Sequence, residues 1–590
     1  MKDMFVSVAR YALVYRKTLA VLFVGLCLES LYDVGVRYSL KFIIDKAIVE
    51  GDMQALVFIL SLLAAGAIVF NIVVIGCDYV WAKTGGRILN DIRLDMFRHM
   101  QNLPVGYYRN SSVGDLSARF NADMSQIENG IVLALPMALM GLIEVAVTLA
   151  LMLSLNPLMC AIAATGIVIS LLVPRTVQSR AMDASFQLRR EEGRMSGYVQ
   201  ENLTGQGIIK TYGLEHRASR DFSLRLDELL KRLARANFLS YLVSRLPSLT
   251  FLLLQLVVLG VGGWLAVNGQ ITIGDLVAYQ ALLIGLNYAI YNLTWMIPSF
   301  IDASAGWRRI KEILDEPLTI QDAPHAQPLD HFAQAVEFDN VSFSYPTSRA
   351  SSLKRVNLRI KAGEYVVFVG RSGAGKSSII NLLMRFYEVS DGAIRIDGTD
   401  IRDLTLSSLR GKFGLVSQEV MLFSTSVRDN IRMGSLDATD EEIEAAARSA
   451  EIHDFIMSLP EGYDTPAGTA GARFSGGERQ RIALARALVR KPAVLILDEF
   501  SSALDPGTEA AILKTIERLK GTCTILSVTH RLSMAETADR SVVMRDGRIV
   551  ESGSHDELLA LHGEYARLWR RAVRDDRPTP QAPSTVPADA

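Results

Sequence analysis

The chain contains 590 residues, and its 62 lysines and arginines nearly balance its 63 acidic residues, which leaves a formal net charge of −1. This balance excludes a polybasic nucleic-acid binder and an acidic disordered chain, and the four scattered cysteines exclude a disulfide-stapled secreted module. Because 49% of the residues are hydrophobic and the mean hydropathy is +0.22, we expect membrane-spanning segments rather than a fully soluble protein.

Apolar residues gather in six runs in the first half of the chain. A helix needs about 20 apolar residues to cross a bilayer. Several runs carry no charged residue, which argues against the alternative of buried helices in a soluble protein, since such helices have a polar face. The sequence therefore predicts an all-α domain with six spans. The runs are 18–44, 55–77, 131–155, 157–174, 246–268 and 276–301.

Basic residues predict the orientation of these spans. They are concentrated before the first span and in the long segments after the second and fourth spans, whereas the other connections are short and contain few of them. The positive-inside rule then places the N-terminus and both long segments in the cytoplasm. We expect a multi-pass protein of a bacterial inner membrane, with helices that continue past the bilayer and no cleavable signal.

Composition predicts four regions along the chain. The membrane domain covers 1–313, and a polar linker with several prolines covers 314–335. From 336 to 574, short β-branched strands alternate with helices, which is typical of an α/β domain. Residues 575–590 are rich in proline, alanine and serine, which predicts a disordered tail.

The strongest motif is a glycine-rich loop at 370–378, which follows a predicted strand and precedes a helical run. This context favours a P-loop, as in the P-loop NTPases, over a chance glycine-rich turn. The loop amides are expected to converge on phosphate oxygens, Lys376 to reach the β and γ phosphates, and Ser377 to hold Mg²⁺. The nucleotide-binding candidates are Gly370, Ser372, Gly373, Gly375, Lys376, Ser377 and Ser378.

A second motif is the apolar strand 493–497, which ends in Asp498 and Glu499. In a parallel sheet, these two carboxylates are expected at the carboxyl end of the strand, beside the P-loop. Asp498 then fits a magnesium-holding role, and Glu499 is positioned to polarise the water that attacks the γ phosphate. The alternative for Glu499 is a capping or ion-pairing role.

Between these motifs, residues 474–481 read Phe-Ser-Gly-Gly-Glu-Arg-Gln-Arg and resemble the signature of the ABC transporter family. Ser475, Gly476 and Gly477 are expected to cap a helix and to present N–H donors and a dipole end to an anion. The resemblance implies that this anion is the γ phosphate of ATP held by a second subunit. It also implies an ABC ATPase domain that works as a head-to-tail pair. A homodimer is the simpler case because no catalytic residue is missing, and a heterodimer is the alternative.

Four further residues match positions of the family. Tyr345 resembles the aromatic residue that stacks on adenine, with simple packing as the alternative. Gln418 resembles the glutamine that contacts Mg²⁺ and faces the membrane domain. Asp505 lies in a segment similar to the D-loop, and His530 resembles the switch histidine on the γ phosphate.

The membrane half is similar to the exporter-type fold of the same family, which implies coupling helices around 114–123 and 201–215. Two departures stand out. Residues 465–471 lack the glutamate and arginine that exporters often carry there, which puts a salt-bridge contact with the coupling helices in doubt. The signature has Phe474 and Glu478 in place of leucine and glutamine.

Polar residues inside the spans indicate where a cargo binds, since charge in a membrane is costly and is usually paired or functional. Glu29, Asp33, Arg37 and Lys41 recur every four residues along one helix face. We expect Asp33 to pair with Arg37. The alternative is a polar lining for an aqueous cavity, with Glu29 as the unpaired residue that contacts cargo. The cargo-binding candidates are Glu29, Asp33, Glu144, Asn287, Tyr291 and Asn292.

Together these features predict an ATP-driven transporter that works by alternating access, with ATP and Mg²⁺ as cofactors. Its expected partners are a second copy, the bilayer and a polar or amphipathic organic solute such as a drug, lipid, peptide or glycan, with no nucleic acid. Export or flipping is the favoured direction. The alternatives are an importer with an exporter fold and an ATP-regulated channel or sensor. Glu499 and His530 argue against a regulator, because a regulator has no need to hydrolyse ATP.

Overall fold

A computed structural model describes residues 2–346, 350–500, 505–529 and 532–575. The chain forms two compact units. The first unit comprises Met1–Gln101 and Val113–Glu316, and the second comprises Asn102–Ser112 and Pro317–Ala590. The predicted switch residue His530 and residues 576–590 of the predicted tail lie outside the described residues.

The described residues of the first half of the chain are almost all helical, with short turns between the helices. Three π-helical stretches, Ile43–Val49, Arg119–Asp123 and Asn129–Ala134, continue or join the α-helices. The α-helices are α1 (Lys2–Leu13), α2 (Arg16–Phe42), α3 (Met53–Asn102), α4 (Val105–Asn110), α5 (Val113–Ala118), α6 (Met124–Glu128), α7 (Leu135–Leu155), α8 (Pro157–Leu172), α9 (Arg175–Thr204), α10 (Gln206–Thr211), α11 (Glu215–Val267) and α12 (Ile273–Leu314).

Six helical stretches among the described residues are long and apolar enough to cross a membrane, which confirms the predicted number of spans. Spans 2 and 5 are 50 and 53 residues long, so they extend well past a bilayer, as expected. In chain order, spans 1 to 6 are Arg16–Val49, Met53–Asn102, Val113–Leu155, Pro157–Thr204, Glu215–Val267 and Ile273–Leu314.

Local signals set where the spans begin. Span 4 starts with a proline at its first position, after Asn156, whose side chain accepts a hydrogen bond from the Met159 N–H at 3.1 Å. Span 6 starts with a capping box, in which Thr272 Oγ1 accepts from the Asp275 N–H at 2.9 Å and Asp275 Oδ2 accepts from the Thr272 N–H at 3.1 Å. These caps satisfy amides that the helices cannot pair internally.

The second unit combines strands and helices. Its described strands are β1 (Ala335–Phe343), β2 (Leu353–Lys361), β3 (Tyr365–Val369), β4 (Asp391–Ile396), β5 (Thr399–Asp400), β6 (Phe413–Val416), β7 (Val494–Asp498), β8 (Thr524–Val528), β9 (Arg540–Arg545) and β10 (Arg548–Gly553). Its described helices, after α4, are α13 (Lys376–Leu383), α14 (Leu406–Gly411), α15 (Val427–Arg432), α16 (Asp440–Ser449), α17 (His453–Ser458), α18 (Gly476–Leu488), α19 (Pro506–Leu519), α20 (Ser533–Thr537), α21 (His555–Ala560) and α22 (Glu564–Asp575).

The main sheet of the second unit has the strand order β10-β9-β3-β8-β7-β6, and all its neighbours are parallel except β9 and β10. A smaller antiparallel sheet has the order β2-β1-β4-β5. Alternate residues of β3 enter two different cores, with Val367 on one face and Phe368 on the other. The main sheet is therefore buried on both faces, as parallel sheets are, and its five mutually parallel strands end at one edge. This architecture matches the predicted α/β domain.

Candidate functional site

The P-loop connects the end of β3 to the start of α13. Gly375 adopts φ +101°, a left-handed conformation that side chains rarely tolerate, and an added Cβ would lie 2.6 Å from the Ser352 carbonyl oxygen. Glycine is therefore required at this position by both backbone conformation and space. The resulting turn lets α13 begin directly at Lys376, with its positive dipole end at the loop.

Lys376 is buried at the mouth of this loop. Its Nζ donates to the Gly370 carbonyl at 2.8 Å and to the Arg371 carbonyl at 3.2 Å. Burial lowers the pKa of Lys376, while the nearby charges of Glu499 and Asp498 oppose that shift. The ammonium group is thus held by the loop itself, close to the carboxylates of the adjoining strand end.

Asp498 ends β7 and Glu499 follows it, at the same sheet edge as the P-loop, but β8 lies between β7 and β3. The carboxylates are therefore one strand further from the P-loop than a direct neighbour would be. Ser377 Oγ nevertheless donates to Asp498 Oδ1 at 3.5 Å. Burial raises the pKa of Asp498, and the charge of Glu499 raises it further. Two of the three predicted magnesium ligands, Ser377 and Asp498, are thus brought together.

Gln418 and Glu499 meet across neighbouring strands. Because β6 and β7 are parallel and Val416 is in register with Leu497, the residues just beyond both strands lie side by side. Gln418 Nε2 donates to Glu499 Oε2 at 2.7 Å. Glu499 has φ +50°, and its N–H donates to the Val528 carbonyl at 2.8 Å. The strand ends therefore fix both the backbone and the carboxylate of Glu499.

Tyr345 contacts the P-loop helix through its hydroxyl. Its Oη lies 3.2 Å from Ser378 Oγ and accepts a hydrogen bond from Asn381 Nδ2 at 3.0 Å. Its ring packs edge-on against Phe343 and Tyr387, with ring centroids 4.7 and 5.0 Å away. These contacts fit the packing alternative for Tyr345, and its adenine-stacking role stays a prediction.

The short helix α4 packs next to this aromatic cluster, within the second unit. An added Cβ on Gly106 would lie 2.8 Å from Tyr387 Cε1, so the helix backbone lies directly against the ring. Arg109, on the same helix, lies close enough to Asp498 for its positive charge to oppose the raised pKa of that carboxyl group. Sequence reasoning missed Arg109, because only the fold brings residues so far apart in the chain together. Helix α4 also lies before residues 114–123 in the chain, where the resemblance places the first coupling helix.

Replacing Gly106 with alanine should therefore disturb the second unit. The added methyl group must displace the Tyr387 ring, at a cost of about 1 to 3 kcal/mol for overpacking. We expect Gly106→Ala to lower the unfolding temperature and the ATP affinity of the full-length protein. Gly207→Ala is the matched control, since Gly207 is also the second residue of a six-residue helix and an added Cβ there meets no atom within 4 Å. Equal behaviour of the two variants would contradict this packing.

The signature residues cap α18. Ser475 is its N-cap, and Gly476 and Gly477 are its first two residues, so their N–H groups have no partner inside the helix. Phe474 is buried, and its ring lies 6.2 Å from that of Phe455, so the phenylalanine fills the core at the position where the family carries leucine. The N–H donors of Gly476 and Gly477 therefore lie next to a residue, Phe474, that is packed into the core.

The remaining nucleotide candidates differ in what the structure provides. Asp505 caps α19, with its Oδ1 accepting from the Thr508 N–H at 3.0 Å, so its carboxylate has a structural partner. The rest of the predicted D-loop lies outside the described residues.

In the segment 465–471, backbone hydrogen bonds join the Ala467 N–H to the Thr425 carbonyl at 2.9 Å and the Val427 N–H to the Thr465 carbonyl at 3.0 Å. This segment is thus held by main-chain contacts.

The charged residues of span 1 do not pair as predicted. Arg37 forms an ion pair with Glu144 of span 3 instead of Asp33, and Lys41 Nζ lies 2.7 Å from Asp275 Oδ1 of span 6. The prediction of an Asp33–Arg37 pair was wrong, because neighbouring helices offered acids closer to the guanidinium than the same helix did. Glu144, predicted to contact cargo, is therefore engaged by Arg37.

The other cargo candidates lie on spans 1 and 6. Tyr291 is 46% exposed within the described residues, so its ring has a free face. The remaining four are half-buried and are Glu29, Asp33, Asn287 and Asn292.

Comparison with known proteins supports the family resemblance. A family model described as "ABC transporter transmembrane region" matches residues 19–290, and a second, described as "ABC transporter", matches residues 353–502. A Staphylococcus aureus (strain NCTC 8325 / PS 47) protein named "Putative multidrug export ATP-binding/permease protein" is 35% identical over 493 residues, 83% of this chain and 85% of its own length. The similarly named YgaD protein of Bacillus subtilis (strain 168) is 32% identical over 538 residues, 90% of this chain and 92% of its own.

A solved structure shares the same architecture. The structure of a bacterial Atm1-family ABC exporter with ATP bound superposes with a TM-score of 0.81 at 27% identity, over 96% of this chain and 100% of that chain. Six apolar spans, followed by a nucleotide-binding α/β unit, are thus the features of a multi-pass integral membrane protein that hydrolyses ATP. The chain belongs to the ABC transporters, with the transmembrane region and the ATPase domain fused in one polypeptide, and it is an ATP-driven transporter.

Proposed function

We propose that two copies of this chain bind two ATP molecules head to tail and use them to export a polar or amphipathic organic solute across a bacterial inner membrane. The N-terminus and the second unit lie in the cytoplasm, in keeping with the basic segments beside spans 1, 2 and 4. The observation that carries the ATPase role is the 2.7 Å hydrogen bond from Gln418 to Glu499, beside the Ser377–Asp498 contact.

In this proposal, Glu499 acts as the base that polarises the attacking water. Gln418 orients the Glu499 carboxylate, and the positive charge of Lys376 stabilises the negative charge on the β and γ phosphates. Glu499 accepts the proton of the water as the new P–O bond forms, and the bond to ADP breaks. His530 is proposed to contact the γ phosphate, and Asp505 to support the site near the subunit boundary.

Magnesium fits the residues present. Mg²⁺ prefers oxygen ligands and near-octahedral geometry with several waters, and the Ser377 hydroxyl, the Asp498 carboxylate and the Gln418 amide oxygen are such ligands. When bound, the ion would neutralise phosphate charge. The raised pKa of Asp498 is consistent with a carboxylate that gains from a cation beside it.

The export direction is supported by the names of the two bacterial relatives, both assigned to multidrug export. The chemistry of the spans supports an amphipathic cargo. Arg37 and Lys41 are neutralised by partners on spans 3 and 6, so cationic side chains are not left for an anionic cargo on this face of span 1. The proposed contacts are acidic, amide and aromatic, namely Glu29, Asp33, Asn287, Tyr291 and Asn292.

Subunit complementation tests the head-to-tail arrangement. Lys376→Ala removes the P-loop function and Ser475→Arg blocks the signature tip, so each variant alone should lack ATPase activity. When the two are co-expressed with different tags and co-purified, one composite site of the mixed dimer is intact, and we expect partial ATPase activity to return. A mixed dimer as inactive as either parent would contradict the arrangement.

A further inference from the structure

The first turn of the signature helix α18 carries a carboxylate, that of Glu478. Glu478 Oε2 accepts a hydrogen bond from the Ser475 N–H at 2.8 Å, and Ser475 Oγ accepts one from the Glu478 N–H at 3.4 Å. This reciprocal pair is a capping box. It fixes Ser475 in an extended conformation, with φ −62° and ψ 163°.

The capping box decides which donors remain at the tip. The Ser475 N–H is taken by Glu478, and the lone pair of the Ser475 hydroxyl is taken by the Glu478 N–H. The donors left for an anion are the Ser475 hydroxyl proton and the N–H groups of Gly476 and Gly477. The Glu478 N–H thus orients the hydroxyl, while the Glu478 carboxylate fixes the Ser475 main chain and withdraws its amide.

Glu478 also adds a negative charge where an anion would bind. Carboxylates stabilise a helix N-terminus through its dipole, but they repel a second anion at the same place. Among the described residues, no basic side chain forms an ion pair with Glu478. The neighbouring Arg479 guanidinium instead donates to the Phe474 carbonyl at 3.1 Å, and that of Arg473 donates to the Pro466 carbonyl at 3.4 Å. Within the part of the chain that the structure describes, no cationic side chain therefore neutralises this carboxylate directly.

We infer that Glu478 is a positioning residue that sets the ATP affinity of the composite site. Its carboxylate fixes the Ser475 main chain that carries the hydroxyl, and its charge weakens the hold of the signature helix on the γ phosphate. This inference rests on the proposed head-to-tail function. A weaker hold lets the nucleotide-bound pair reopen more readily after hydrolysis.

Steady-state ATPase kinetics of the full-length protein test this inference. Glu478→Gln keeps the capping box, since glutamine also closes it, but removes the charge. We expect the KM for ATP to fall about two- to fivefold, the range that one charge at a helix N-terminus accounts for, with no rise in kcat. Raising the ionic strength should shrink the difference from wild type. Glu478→Ala also loses the bond that fixes the Ser475 main chain, so its KM should exceed that of Glu478→Gln.

The matched control is Glu557→Gln. Glu557 forms the same kind of capping box on α21, where its Oε2 accepts from the Ser554 N–H at 2.9 Å. We expect Glu557→Gln to leave the KM unchanged. A KM for Glu478→Gln equal to those of wild type and Glu557→Gln would overturn the inference, whereas a wild-type protein without ATPase activity would overturn the proposed function instead.

Discussion

Glu499→Gln is expected to reduce ATP hydrolysis by about 100-fold or more, the range typical of losing a general base. Glutamine has the same shape, and its oxygen still accepts the hydrogen bond that Gln418 donates to Glu499 at 2.7 Å. The geometry of the strand ends is therefore kept while the carboxylate that accepts a proton is lost. ATP binding should persist, because the P-loop contacts phosphate through other groups.

Proteoliposomes provide the measurement for this variant. We expect solute flux to fall together with ATPase activity, while ATP-dependent association of the two subunits is prolonged. Glu461→Gln, which changes an exposed acid in a turn outside the site, should retain both activities. Flux at the full rate in Glu499→Gln would show that hydrolysis is not coupled to movement and would favour an ATP-regulated channel.

The Arg37–Glu144 ion pair underlies the second large effect. Glu144 is 9% exposed and Arg37 27% exposed at the side chain, so the pair is mostly shielded between spans 1 and 3. Gly285 of span 6 lies directly against the Arg37 guanidinium, and an added Cβ there would overlap it. Glu144→Ala leaves a partly buried cation without its partner, and the cost approaches the range of about 3 to 5 kcal/mol seen when a fully buried ion pair is broken.

We therefore expect Glu144→Ala to lower the unfolding temperature and the amount of folded protein in the membrane. Combining Arg37→Glu with Glu144→Arg restores opposite charges and should recover much of the loss, whereas either reversal alone should not. The free energy of unfolding in detergent is measured for wild type, the two single charge reversals and the double reversal. This double-mutant cycle gives the coupling energy between the two side chains. A coupling near zero would mean that Glu144 serves the cargo rather than the fold.

Local motifs could be predicted from the sequence, whereas contacts between distant residues could not. Contiguous motifs were predicted in place: the P-loop ends at α13, Asp498 ends β7, and Ser475 caps α18. These predictions rest on local physics, since a glycine with φ > 0, an apolar strand and a helix cap are each determined within a few residues. The six spans were predicted for the same reason, because length and hydropathy are local properties.

Long-range contacts were less accessible. The partner of Arg37 lies on another span, and Arg109 approaches Asp498 only because residues 102–112 join the second unit. Sequence spacing favoured Asp33, four residues from Arg37, but no spacing rule ranks that choice against an acid brought close by folding. The insertion of β8 between β3 and β7 was likewise invisible in the order of the motifs.

The sequence by itself therefore determined what this protein is made of: six apolar helices, a phosphate-binding loop, a pair of carboxylates and a capped signature helix. Only the tertiary structure decided which charges neutralise each other and which side chains meet at the end of the sheet. The physical reason is that backbone conformation and hydropathy are set by neighbours in the chain, whereas the energy of an ion pair depends on the distance between residues that folding alone brings together.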